Sequence, residues 1–248
     1  MIGNRDFVSI GGAGCGGLLR VKLQAVIFDF DGIIVDSEPV HHEAFVRVLE
    51  KHGLPLSWDH YYEHYLGFDD RDVLRTRFKD AGIALGDAML RDLIAEKAKV
   101  FVEIVRTGGV RAYPGVVRLI RALSEAMPVA ISSGALASDI EPILDTLGLQ
   151  ACFPVRVTAD QVQASKPDPE SYREAFARLK KMFPDRVNDA ACCIAIEDTP
   201  AGIAAAHGAG LRVLAVKNTY DLIELADADH IVDSLEEIDP AALDALIG

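Results

Sequence analysis

The stretch Val26-Ile27-Phe28-Asp29-Phe30-Asp31-Gly32-Ile33-Ile34-Val35-Asp36-Ser37-Glu38 decides how the chain is read. Its opening run is apolar, as in a strand covered on both faces of a parallel sheet. It then ends in two aspartates one residue apart, followed by glycine. Side chains alternate along a strand, so Asp29 and Asp31 are expected on one face, with two like charges meeting at the strand's end.

Outward from this stretch, β-branched runs alternate with amphipathic segments. AVIFDF is followed by helices and then by PVAIS, SDIEPILDTLG, FPVRVT, PESYREAFARLK, ACCIAIE, PAGIAAAHGAG, RVLAV and HIVDS. Continuous apolar strands separated by helices predict an α/β fold, a doubly wound parallel sheet with its ligand site beyond the strands' carboxyl ends. One region breaks the rhythm. From Pro39 to Gly109 only helices are legible. Val40, Ala44, Phe45, Val48 and Leu49 form one apolar face before a stop at Gly53; Leu90, Leu93, Ile94, Phe101, Ile104 and Val105 form another before Gly108-Gly109.

The expected organisation is an N-terminal extension over 1–20, an α/β core over 21–36 and 112–248, and an inserted small helical domain over 37–111. Tyr113-Pro114-Gly115 reads as the return hinge, and the insertion as a lid over the first strand's end. Gly12-Ala13-Gly14-Cys15-Gly16-Gly17 matches G-x-G-x-x-G, but no helix and second parallel strand follow at the required distance, so it reads as part of the extension.

Composition narrows the function. Half of the 248 residues are apolar, enough for a large core, and the formal charge is −13. Clustered Lys and Arg are lacking, which argues against nucleic acid. No apolar run suits a membrane span and no signal peptide is legible, so a cytoplasmic location is expected. Cys15, Cys152, Cys192 and Cys193 lack C-x-x-C spacing and read as buried free thiols.

Three later segments end strands in polar residues: Val129-Ala130-Ile131-Ser132-Ser133-Gly134, Ser165-Lys166-Pro167-Asp168-Pro169, and Ile194-Ala195-Ile196-Glu197-Asp198-Thr199-Pro200. With the aspartate pair, this order resembles the haloacid dehalogenase superfamily. Its motifs are an aspartate pair, a Ser or Thr, a Lys, and an acidic pair. The helical insertion resembles the cap of its β-phosphoglucomutase and phosphoglycolate phosphatase branch. The resemblance implies a Rossmann-like core and a Mg²⁺-dependent phosphatase acting on a small phosphorylated metabolite, with no protein partner implied.

Asp29 is then the nucleophile that forms an aspartyl-phosphate, and Asp31 the general acid and base. Lys166, Ser133 and the Gly134 amide contact phosphoryl oxygens, with Ser132 the competing serine. Gly32 leaves room for a close approach of phosphate. The implied Mg²⁺ ligands are Asp29, Asp198, the backbone carbonyl of Asp31, and Glu197 directly or through water. His41 either reaches the site or is an exposed helix residue. Gly67-Phe68-Asp69-Asp70-Arg71 is either a substrate-facing loop, with Arg71 or Asp70 selecting the leaving group, or an ordinary helix cap. Trp58 and the adjoining YYEHY run read as packing, and His207 as a surface residue.

A phosphomutase of the β-phosphoglucomutase type is the main alternative, disfavoured by the acids Asp69 and Asp70 where a second phosphate needs basic residues. A 2-haloacid dehalogenase does not need Asp31. A response-regulator receiver lacks the long insertion.

Overall fold

The computed structural model describes residues 22–65 and 68–247. The 1–20 extension with its glycine run and Cys15, and also Gly67, lie outside the described residues.

Strand β1 (Ala25–Phe28) is fully buried and leads through β2 (Val35–Asp36) into four helices: α1 (Glu38–Leu49), α2 (Trp58–His64), α3 (Asp70–Asp80) and α4 (Asp87–Arg106). The chain returns through β3 (Arg111–Ala112) and α5 (Val116–Ala126) to β4 (Val129–Ser132), α6 (Ala137–Leu147) and β5 (Val155–Val157). It closes with α7 (Glu170–Met182), β6 (Cys193–Glu197), α8 (Pro200–Gly208), β7 (Arg212–Val216), β8 (His230–Val232) and α9 (Pro240–Ala245).

Six strands form one parallel sheet in the order β5-β4-β1-β6-β7-β8. The chain winds outward from β1 to β5, then crosses to β6 on the other side of β1. That reversal opens a crevice at the carboxyl ends of the central strands. Both faces of the sheet are apolar, which explains the unbroken strand runs. Val26 and Phe28 pack with Leu119, Ile120 and Leu123 of α5 and Ile140, Ile143 and Leu144 of α6. Ala25 and Ile27 pack with Tyr172, Ala175 and Leu179 of α7 and Ile203 of α8.

The helical insertion has an apolar cluster of its own, in which Phe45, Val48 and Leu49 meet Tyr61, Tyr65, Val73, Leu74, Phe78, Leu90 and Leu93. The long helices α1 and α4 serve both cores, because their other ends carry Val40, Ala44, Phe101, Ile104 and Val105 into the sheet cluster. Where the insertion begins and ends, β2 and β3 pair antiparallel, Val35 with Ala112 and Asp36 with Arg111.

The Tyr113-Pro114-Gly115 segment follows this pair. Gly115, at φ +80°, approaches the backbone of Glu236 so closely that a Cβ would lie 2.6 Å from it. Helix α1 stops at Leu49, and a 3₁₀ turn over Glu50–His52 delivers the chain to Gly53 at φ +70°. Cys192 and Cys193 are buried free thiols, while Cys152 is half-buried. No described helix is long and apolar enough to cross a membrane.

Candidate active site

The two aspartates part company at the end of β1. The Asp29 amide donates to the Ile196 carbonyl at 2.9 Å, but the Phe30 carbonyl then accepts from Ile34 at 2.8 Å and the chain turns. The strand therefore ends at Phe28, and the expectation that like charges meet on one strand face is corrected. The Asp29 carboxylate turns to Lys166, and the Asp31 carboxyl accepts from the Ser37 hydroxyl ahead of α1.

Lys166 Nζ donates to Asp29 Oδ1 at 2.5 Å, to Glu197 Oε1 at 2.6 Å and to the Ser132 carbonyl at 3.1 Å. Burial alone pulls this ammonium down, but the two carboxylates push it above its usual range. Glu197 is held on both oxygens. Tyr172 on α7 donates its hydroxyl to Oε1 at 2.8 Å, and Oε2 accepts from the amides of Asp198 and Thr199 and from the Thr199 hydroxyl. This carboxylate packs on the first turn of α8, where a Cβ at Gly202 would lie 1.9 Å from it. The helix's unpaired amides and positive end favour a negative charge there.

Asp198 is buried, and its Oδ2 accepts from the Thr219 hydroxyl, whereas Oδ1 has no protein partner. Gly32, at φ +83°, packs directly on this carboxylate, since a Cβ would fall 1.9 Å from Oδ2. Asp29, Glu197 and Asp198 bring one carboxylate oxygen each within 4.8 Å of one another. Burial pushes the Asp29 carboxyl well up, with Glu197 and Asp198 adding to the rise and Lys166 opposing it. Burial likewise raises Asp198 to about 7, against the Thr219 hydrogen bond, and Asp31 to about 6, against Ser37.

Three clustered carboxylates have one ammonium, paired with Asp29 and Glu197, so ionising all three would leave two negative charges uncompensated. Together with the orphaned Asp198 oxygen, this set fits a divalent cation, which takes carboxylate oxygens and relieves buried negative charge.

Ser132 ends strand β4 and Ser133 follows it. Ser133 is buried, its amide donates to Val157 at 2.9 Å, and its Oγ accepts from the Ala135 amide at 2.9 Å, leaving its own proton to give. Ser132 turns its carbonyl to Lys166, and its buried Oγ has no partner. Gly134 is exposed and lines the cleft, where a Cβ would meet nothing within 4 Å.

The cleft between sheet and insertion has a volume of about 390 Å³ and runs from Asp31, Ser37 and Gly134 to Glu38, His41, Asp70, Arg71 and Asp139. Lys97 stands behind it. This lysine, only 1% exposed, donates to Asp70 Oδ1 at 2.6 Å, lies 2.8 Å from His41 Nδ1, and faces the rings of Phe45 and Phe101. His41 is thus no exposed helix residue: burial and the neighbouring ammonium push it down to about 3. Asp69 caps α3, accepting from the Asp72 amide at 2.8 Å, while Arg71 stays exposed at the cleft. Tyr61 and Tyr65 pack within the insertion, whereas Trp58 and Tyr62, expected to pack with them, are exposed; His207 pairs at the surface with Asp229 at 3.0 Å.

Motif reading missed Lys97, Tyr172, Asn218 and Thr219. For Lys97 the signal was present, because Leu90, Leu93, Lys97, Phe101 and Ile104 recur at helical spacing and place the lysine on the buried stripe.

A family model described as haloacid dehalogenase-like hydrolase matches residues 26–216. Among curated relatives, the protein CbbY of Rhodobacter capsulatus is 32% identical over 213 residues, covering 81% of this chain and 88% of that one. A phosphorylated carbohydrates phosphatase of Thermotoga maritima is 28% identical over 230 residues, covering 87% and 100%. Among solved structures, a variant of CbbY from Rhodobacter sphaeroides in complex with xylulose-(1,5)bisphosphate superposes with a TM-score of 0.72. It shares 26% identity and covers 90% of this chain and 99% of that one.

Proposed function

Because the chain belongs to the haloacid dehalogenase-like hydrolase family, we propose that it is a Mg²⁺-dependent phosphatase that hydrolyses a small phosphorylated carbohydrate through an aspartyl-phosphate. The observation that carries this reading is the buried trio Asp29, Glu197 and Asp198 opposed by the single ammonium of Lys166, with Asp198 Oδ1 unpartnered. The relative named as a phosphorylated carbohydrates phosphatase supports the substrate class.

Asp29, Asp198 and the Asp31 carbonyl are the groups assigned to hold Mg²⁺, with Glu197 reaching it directly or through water. When bound, the ion neutralises phosphate and carboxylate so that two anions can meet. Asp29 attacks phosphorus as the bond to the leaving oxygen breaks, and Asp31, protonated, gives that oxygen its proton. Asp31, now ionised, takes a proton from the water that attacks phosphorus. The bond to Asp29 breaks, and phosphate leaves. Lys166 and Ser133 hold the transferring oxygens, and the Gly134 amide adds a donor. The carboxyl of Asp31 suits both halves of this cycle, because its rise to about 6 leaves both protonation states populated near neutral pH.

The helical insertion acts as a cap that shields the transfer from bulk water. Its cleft face also selects the substrate. Glu38, Asp70 and Asp139 line the cleft together with Asp31, and Lys97 is already paired with Asp70. A leaving group rich in hydroxyls fits there, whereas a second phosphate would meet three carboxylates against the single exposed guanidinium of Arg71. The same acids disfavour a phosphomutase, which must hold phosphate at both ends of its substrate.

The test is a panel of sugar and polyol monophosphates with Mg²⁺, following free phosphate and isomerised product. Phosphate release that Asp29→Asn abolishes supports the reading. Isomerisation without release, or no turnover of any member, contradicts it.

A further inference from the structure

We infer that Asn218 and Thr219, in the loop leaving β7, are positioning residues that hold the two walls of the cation site in place. The inference rests on the divalent-cation reading of Asp29 and Asp198 given above. Thr219 donates its hydroxyl to Asp198 Oδ2, so that oxygen is committed and Oδ1 is the one left unpartnered. Asn218 Nδ2 donates at 2.6 Å to the carbonyl of Gly32, the residue that follows Asp31. Gly32 in turn packs against Asp198, with room for no Cβ between them. One dipeptide therefore grips both the turn that carries the Asp31 carbonyl and the carboxylate facing it.

The loop is exposed over 219–224 and anchored at both ends. The Lys217 amide donates to Val232 at 3.0 Å on the sheet edge, and Leu225 is fully buried under the α7–α8 layer. Between these anchors, Glu224 accepts from the Asp221 amide at 3.2 Å. The donors thus reach the site from a segment whose ends cannot shift freely. Partners that orient metal ligands commonly change affinity by 10–100-fold when removed.

The experiment measures Mg²⁺ binding alone, by calorimetry on the substrate-free full chain, for wild type, Thr219→Val, Thr219→Ser and Asn218→Ala. Valine keeps the shape of threonine and deletes only the hydroxyl, and serine restores it. The expected result is Mg²⁺ binding by wild type, weakened about 10–100-fold in Thr219→Val and in Asn218→Ala, and close to wild type in Thr219→Ser. A role confined to packing would leave the serine variant as weak as valine. Wild-type affinity in both Thr219→Val and Asn218→Ala overturns the inference while leaving the cation site standing. No binding by wild type itself overturns the cation site and the inference with it.

Discussion

Lys166 and Asp29 stand 137 residues apart in the chain, yet Nζ and Oδ1 meet at 2.5 Å beyond the carboxyl end of β1. Glu197 accepts from the same ammonium at 2.6 Å, so Lys166 is the only ammonium facing the three clustered carboxylates among the described residues. Lys166→Met is expected to lower kcat by roughly 10²–10³, the usual loss for one donor to the developing negative charge. It also leaves two buried carboxylates without their partner, which costs about 3–5 kcal/mol where such a pair is broken. A lowered melting temperature that Mg²⁺ partly restores is the accompanying signature.

Asp31→Asn removes the proton donor while keeping a side chain of the same shape beside Ser37. Turnover of an alkyl phosphate is expected to fall by roughly 10²–10⁴. With an aryl phosphate whose leaving group needs no proton, the first step survives and the second is slow. Rapid mixing then shows a burst of phenolate followed by slow release. A loss equal for both substrate types, with no burst, removes the acid-base role.

The Asp198 carboxyl, raised to about 7 from an ordinary 3.8, gives a pH dependence of known sign. A raised folded-state value means that the native protein holds the proton more tightly than the unfolded chain. The ionised carboxylate therefore destabilises the metal-free fold above about pH 7, and that cost fades as pH falls toward 3.8. Metal-free Asp198→Asn is expected to melt above wild type at pH 8, with the gap closing toward pH 4. Because the ligand must lose its proton to bind, Mg²⁺ affinity of the wild type falls by about tenfold per unit below pH 7. Greater stability of the metal-free wild type at pH 8 contradicts this account.

Lys97 ties Asp70 and His41 together behind the insertion side of the cleft. Lys97→Met, which preserves the buried stem, removes the bond that holds Asp70 and is expected to raise KM for a sugar monophosphate by roughly 10-fold through the released cleft wall. Mg²⁺ affinity should not move. An unchanged KM assigns Lys97 to packing alone.

The sequence carried the sheet plainly, because every central strand is buried on both faces and cannot tolerate a polar interruption. Its end points were less legible. The apolar run suggested that β1 continues through Asp29, whereas the Phe30 carbonyl captures the following amides and ends the strand at Phe28. Asp29, Glu197 and Asp198 announced themselves by their place at the ends of β1 and β6, whereas Lys166, also expected at a strand end, sits in the loop well after β5 has stopped at Val157. Tyr172, Asn218 and Thr219 did not announce themselves, since each acts through hydrogen bonds to more conspicuous neighbours and belongs to no spaced pattern. His41 could be placed only once the buried Lys97 beside it was known.

The central claim is that Asp29 takes up the phosphoryl group. It is tested most directly by mixing the Asp31→Asn protein with Mg²⁺ and substrate, quenching in acid, and locating added phosphoryl mass by peptide mass spectrometry. The account predicts that mass on the peptide carrying Asp29, and none in an Asp29→Asn, Asp31→Asn double variant. A phosphoryl group on any other residue, or equal labelling of the double variant, would contradict it.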